Sequence, residues 1–209
     1  MRVYKILDVA YGLIDLRDRS IKISRFEDMN DPFELYGVRV DDPSHPAWVR
    51  QLSKFGVLCF SKQWTNPVLW SHYGDKHKGI CLGLEVCEAD CAAAYPARYT
   101  HKRKIVEFEL TPHNTPEELD TLVRSMLLTK YEDWTYEEEV RMFEPLDEGK
   151  PMSFKAIDDR LQLKEVILGA RSTDETRRKV EGLVAKYPGP PRVFKAQLSP
   201  DRFEMIEEA

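Results

Sequence analysis

Asn66-Pro-Val-Leu-Trp-Ser-His-Tyr-Gly-Asp-Lys-His-Lys-Gly-Ile-Cys-Leu-Gly-Leu-Glu-Val86 sets the architecture of the chain in one passage. Asn66 suits a helix N-cap, Pro67 the first helical position, and Gly74 a left-handed stop. From Gly79 to Val86 the residues read as a strand. The chain thus passes from a short helix into a strand through a polar junction, Trp70 to Cys81, that crowds two histidines, a tyrosine, a serine and an aspartate. Loops held by rigid elements concentrate binding and catalytic groups, so this junction is the first candidate site.

Working outward, strand-like runs occur at Arg2–Ile6, Gly56–Phe60, Lys104–Leu110, Trp134–Phe143, Lys164–Leu168, Val193–Leu198 and Phe203–Ile206. The clearest helix follows Thr115: Pro116 fits its first turn, Glu118 completes a capping box, and Leu119, Leu122, Val123, Met126 and Leu127 form one apolar face. A second helix runs from Asp174 to Tyr187 and is ended by Pro188-Gly189-Pro190-Pro191. Weaker patterns suggest short helices at Ala10–Arg17 and Pro46–Lys54. Strands dominate, with no regular strand-helix alternation and no internal repeat. The expectation is an α+β fold, a mixed and mainly antiparallel sheet with peripheral helices, in a single domain over residues 1–209.

The bulk composition agrees with a folded globular chain. Of 209 residues, 42% are hydrophobic and 32% charged, enough for one buried core and without a low-complexity linker. A net charge of -5 with interspersed signs excludes a global basic footprint for nucleic acid. No apolar run reaches membrane-spanning length, and the start Met-Arg-Val-Tyr-Lys-Ile lacks a secretory signal, so a cytoplasmic protein with no membrane partner is expected. Cysteines 59, 81, 87 and 91 show neither disulfide density nor zinc spacing and are read as reduced.

Three polar constellations carry the chemistry. Asn30-Asp31-Pro32-Phe33-Glu34 reads as an Asx turn with Phe33 packed inward, or as a place where Asn30 or Asp31 meets ribose hydroxyls or an amide. In the Trp70–Cys81 junction, Ser71, His72, Tyr73 and His77 are ligand candidates, with His72 at the negative end of a helix suited to an anionic group such as phosphate. Metal ligation by these histidines lacks a recognised spacing. In Trp134–Phe143, read as one strand, Glu137, Glu139 and Arg141 share a face. That face is either a solvated surface with Arg141 offsetting the acids, or part of a cleft where carboxylates stabilise a ribosyl oxocarbenium ion. No phosphate-binding loop, dinucleotide turn, nucleophile elbow or zinc-protease motif is present.

Tyr4-Lys5, Asn30–Glu34, Cys59-Phe60-Ser61, Trp70–Tyr73, His77–Cys81, Lys130, Trp134, Tyr136-Glu137, Glu139, Arg141 and Val166–Gly169 together resemble a widespread bacterial and phage domain family of unknown function. The chain departs from it after Tyr4-Lys5, where Ile6-Leu7 replace an expected aromatic and basic pair. More distantly the chain is similar to the ADP-ribosyltransferase fold, especially its toxin and DNA-modifying branches.

That distant resemblance implies an NAD-using transferase of bacterial conflict or phage-defence systems. Glu139 would act at the ribosyl centre with help from Glu137, and Tyr4 and Lys5 would contact the dinucleotide. Ser61 would support the nicotinamide-ribose pocket, and His72 with Tyr73 would clamp phosphate or stack on a ring. NAD would be the substrate, no metal would be needed, and the acceptor would be protein, DNA or RNA. Two alternatives stay open: a non-catalytic module binding a nucleotide, peptide or nucleic-acid end, and a metal-dependent nuclease using His72, Asp75, His77 and the Glu137/Glu139 pair.

Overall fold

In a computed structural model, residues 1–34, 38–40, 54–106 and 114–208 are described, with 38–40 and 104–106 given by their backbone. The centre is the strand predicted after Gly79, β5 (Ile80–Val86), almost wholly buried. It lies antiparallel between β1 (Arg2–Leu7) and β12 (Leu161–Leu168). Beyond β1 come β4 (Phe55–Ser61), β10 (Glu139–Pro145) and β6 (Ala94–Pro96), and beyond β12 come β13 (Arg192–Leu198) and β14 (Met205–Glu207). The eight strands follow the order β14-β13-β12-β5-β1-β4-β10-β6, and β12 with β13 is its parallel pair. Short two-stranded pieces flank it: β2 (Ser20–Ile23) with β11 (Ser153–Ala156), β3 (Val38–Val40) with β8 (Lys104–Val106), and β7 (Arg98–Thr100) with β9 (Thr129–Tyr131).

The period of two along β5 divides the core. Leu82, Leu84 and Val86 pack with Leu16 of α1 (Val9–Asp18) and with Val180 and Val184 of α4 (Asp174–Val184). Cys81 points the other way, to Trp70 of α2 (Pro67–Tyr73), Ile167 and Phe194. The sheet is therefore a layer between helices, and the fold is α+β in a single domain. Among the described residues the remaining α-helix, α3 (Pro116–Leu128), begins with the expected capping box, Thr115 N donating to Glu118 Oε2 at 2.9 Å and Glu118 N to Thr115 Oγ1 at 3.3 Å. It buries Leu122, Met126 and Leu127 from the predicted face.

Three sequence expectations need correction, and two fall partly outside the described residues. Trp134–Phe143 is not one strand. Glu132–Glu137 forms a 3-10 turn, Glu138 takes a left-handed conformation at φ 43°, and the strand starts at Glu139. Gly74 is not left-handed, with φ at -102°; its small size is needed because a Cβ would meet Trp70 at 2.9 Å. Asp75, Lys76 and His77 carry the positive φ values instead. Phe33 does not pack inward but is half exposed beneath the guanidinium of Arg103. Residues 46–53 of the expected Pro46–Lys54 helix and residues 107–110 of the expected Lys104–Leu110 strand lie outside the described residues.

Candidate functional site

The strand β1 pairs with β5 along its length but with β4 only at Tyr4–Ser61. Past that point the two strands diverge, and a cavity of about 470 Å³ opens in the fork. Lys5 to Asp8 line one side and Cys59 to Ser61 the other, with Lys5 Nζ reaching across to the Cys59 carbonyl at 3.3 Å. Asn30, Asp31 and Glu34 close a third side, and His72 with Tyr73 come from the end of α2. Lys130, Trp134, Glu137 and Glu139 complete the wall.

Local sequence explains how each part arrives. The helix α2 starts as predicted, Val68 N donating to Asn66 Oδ1 at 2.9 Å, and Trp70 anchors it through an Nε1 bond to the Trp64 carbonyl at 2.6 Å. Burying the Trp70 side chain turns Tyr73, three positions on, toward the fork. In the loop after β2, Asp31 Oδ1 accepts from Phe33 N at 2.8 Å, which is the predicted Asx turn. This turn exposes Phe33 and sends Glu34 inward.

Glu34 there meets Arg141, whose side chain is 0% exposed. Arg141 Nη1 and Nη2 donate to the two Glu34 oxygens, each at 2.8 Å, while Nε and Nη2 reach Glu139 at 3.1 and 2.9 Å. Lys130 Nζ lies 2.8 Å from Glu139 Oε2 and 2.5 Å from Glu137 Oε2. The other Glu137 oxygen accepts from the Tyr73 hydroxyl. A continuous chain therefore runs from Tyr73 through Glu137, Lys130, Glu139 and Arg141 to Glu34. Asn30 and Asp31 line the same cavity, so the Asn30–Glu34 loop supplies both the end of this chain and part of the cavity wall.

Burial on its own works against every charge in this chain, and only pairing with full hydrogen bonding keeps such groups ionised. Burial raises the Glu139 carboxyl, but Arg141 and Lys130 outweigh it and bring the group down to about 2. Burial likewise lowers Lys130 and Arg141, yet their carboxylate partners hold both above their ordinary values. The Tyr73 hydroxyl is pushed upward by burial and then by Glu137, so it stays a proton donor. Six carboxylates, of Asp8, Asp28, Asp31, Glu34, Glu137 and Glu139, line the cavity against the ammonium groups of Lys5 and Lys130. Among the described residues that lining suits a ligand which carries or develops positive charge.

Aromatic rings form the rim beside Glu137. His72 packs edge-on to Trp134 and Tyr136, with ring centroids 6.1 and 5.8 Å away, and the Trp134 face covers Lys130 Nζ at 5.2 Å. Of the predicted site residues, Tyr4, Lys5, Asn30, Asp31, Ser61, His72, Tyr73, Glu137 and Glu139 all line the cavity. Ser71 and His77 do not. Ser71 Oγ lies 3.1 Å from His77 Nε2, and this exposed pair ties the end of α2 to the left-handed turn. Tyr4 meets the cavity at the fork while its hydroxyl is pushed up to about 12 by burial and by Glu165.

The solvated-surface alternative for Glu137, Glu139 and Arg141 is overturned, since all three are buried. Strand alternation places Glu139 and Arg141 on the shared face as expected; Glu137 joins them through the turn at Glu138. Sequence reasoning assigned no site role to Lys130, Glu34 or Trp134. The signal available was their presence in the resembling motifs, without any spacing that brings them together. Among the described residues no three metal-ligating side chains converge as a metal-binding group, and no helix is long and apolar enough to cross a membrane.

Comparison with curated proteins and with solved structures gives no match. Residues 69–142, which contribute Tyr73, Lys130, Trp134, Glu137, Glu139 and Arg141 to the site, match the model of the family described as "Protein of unknown function (DUF2971)", and it is to this family of unknown function that the chain is similar.

Proposed function

We propose that the chain is an ADP-ribosyltransferase-like protein that uses NAD, with the fork between β1 and β4 as its nucleotide cleft. The supporting observation is the pair of buried carboxylates, Glu137 and Glu139, lining one cavity with Lys5 and with Ser61, the strand partner of Glu139. In such a transfer the ribose C1′–nicotinamide bond breaks and its electron pair leaves with nicotinamide. The ribosyl centre then carries positive charge, which preorganised carboxylates stabilise. An acceptor nucleophile forms the new C1′ bond and gives its proton to a carboxylate or to water.

Glu137 takes the leading role here and Glu139 the supporting one. Both Glu139 oxygens are held by cations, whereas one Glu137 oxygen is held by the neutral Tyr73 hydroxyl, which a ligand can displace. Lys5 and Tyr4 would meet the dinucleotide, and His72 and Trp134 offer ring faces for stacking. A cytoplasmic role in bacterial conflict or phage defence goes with this assignment.

The saturation of Glu139 by Arg141 and Lys130 favours a second reading, a module that binds a nucleotide without turning it over. Incubation with NAD, following nicotinamide release in the presence of protein and nucleic-acid acceptors, separates the two. Release that disappears in Glu137→Gln supports the transferase, while saturable binding with no release supports the module. Release that persists in both Glu137→Gln and Glu139→Gln removes the carboxylate mechanism.

A further inference from the structure

Lys130 stands at the meeting point of the site. Its ammonium touches Glu137 at 2.5 Å and Glu139 at 2.8 Å, lies 3.9 Å from Glu34, and sits beneath the Trp134 ring. It is 6% exposed and lines the cavity. The strand that carries it, β9, is three residues long and pairs with β7 as well as leading into the 3-10 turn that bears Glu137. Arg141 serves Glu139 and Glu34 but makes no bond to Glu137. Removing the ammonium leaves Glu137 with Tyr73 as its hydrogen-bond partner and brings two carboxylates into one pocket without a shared cation.

We propose that Lys130 is a positioning residue of the cleft: it is the cation that holds the Glu137 and Glu139 carboxylates side by side and turns the Tyr73-bound oxygen of Glu137 toward the cavity. A purely structural lysine would lower the neighbouring carboxylates by its charge and contribute to folding, but leave turnover by the folded chain unchanged. A positioning lysine sets turnover as well. The groups facing the pair are Arg141 from β10, Glu34 from the loop after β2, Cys59 from β4, Tyr73 from α2 and Tyr99 from β7, whose hydroxyl accepts from Glu139 N at 2.8 Å. Of these, Arg141 is the cation and stays in place when Lys130 is replaced, so the contribution of Lys130 can be read separately.

The role of Lys130 as a functional group rests on the transferase reading, but its effect on the carboxylates does not. The experiment uses the full chain as wild type, Lys130→Met and Lys130→Arg, each checked for native near-ultraviolet circular dichroism. Side-chain carboxylate NMR signals of the ligand-free protein are followed with pH, and nicotinamide release from NAD is followed in parallel. The Glu139 titration is expected to move upward in Lys130→Met by roughly one pH unit or more and to stay near the wild-type position in Lys130→Arg. Nicotinamide release is expected to fall at least about tenfold in kcat in Lys130→Met, with little change in KM, and to recover in part in Lys130→Arg. An unmoved Glu139 titration in folded Lys130→Met overturns the proposal. Should Lys130→Met not fold, Lys130→Met/Glu137→Gln is titrated against Glu137→Gln, so that the two differ by the ammonium alone, and an unmoved Glu139 between those two overturns the proposal equally. If wild type releases no nicotinamide, the transferase reading falls while the titration still decides the hold of Lys130 on the carboxylates.

Discussion

The hydroxyl of Tyr73 donates to Glu137 across 64 positions of sequence, joining the last residue of α2 to the turn before β10. Among the described residues the tyrosine is the one neutral donor to the Glu137 carboxylate, whose other donor is Lys130. The end of α2 and the turn before β10 therefore meet at a single phenol, within the cavity wall.

Tyr73→Phe removes that meeting point and leaves one Glu137 oxygen without its donor. The loss is expected to be about 1–3 kcal/mol of stability, the cost of an unsatisfied buried polar group. Urea denaturation measures it. A variant within about 0.5 kcal/mol of wild type would mean that water replaces the hydroxyl.

Arg141→Met leaves Glu34 and Glu139 buried with an incomplete set of partners. Breaking a buried ion pair from one side costs about 3–5 kcal/mol, so this variant is expected to be severely destabilised. Arg141→Lys keeps the charge but loses the paired donors that face both Glu34 oxygens, and only partial recovery is expected. The comparison of thermal midpoints tests both statements. Arg141→Met with Glu34→Gln should be less destabilised than the sum of the single changes, because the two share one interaction.

Stability in acid should follow Glu139. Its folded-state carboxyl lies at about 2 against an ordinary value of 4.5. A lowered carboxyl stabilises the fold at pH above its unfolded value, and this contribution, on the order of 2–3 kcal/mol, is lost as pH falls from about 4.5 toward 2. Chemical denaturation at a series of pH values should show that slope in wild type and a shallower one in Glu139→Gln.

Asp15 should produce the opposite slope. It is buried on α1, and burial raises its carboxyl to about 7 despite the opposing charge of Lys5. The folded state then holds a proton that the unfolded chain has lost, so stability declines as pH rises from about 4 to 7. Asp15→Asn is expected to abolish this decline and to be more stable than wild type at pH 8 by about 2 kcal/mol. Equal stabilities at pH 8 would show that folding does not raise the Asp15 carboxyl.

Gly169→Ala places a Cβ 2.3 Å from the backbone oxygen of His77, with no flexible side chain to yield. The left-handed turn at Asp75–His77 must shift, and its bond from Arg171 N to the His77 carbonyl, 2.8 Å long, shifts with it. A destabilisation of about 1–3 kcal/mol is expected from such overpacking, measured by thermal denaturation.

The sequence by itself determined the parts of this protein that depend on near neighbours in the chain. Asn66 capping Val68, Thr115 and Glu118 forming a capping box, the Asx turn at Asp31, and the buried strand β5 are all visible because their partners lie within a few residues. With them came the α+β class and nine residues of the cavity wall, since polar residues crowded into loops signal themselves without a structure. Tertiary structure alone decided what those residues do together. Glu34 and Arg141 are 107 positions apart, and no local pattern distinguishes an arginine that offsets acids on a wet strand from one that is 0% exposed between two glutamates. The divergence of β1 from β4 after Tyr4–Ser61 creates the cavity, and it lies between strands more than fifty positions apart, where no local pattern records it. Packing around Trp70 placed Tyr73 and His72 on the cavity wall and left Ser71 and His77 off it, a division that the sequence of the junction could not reveal.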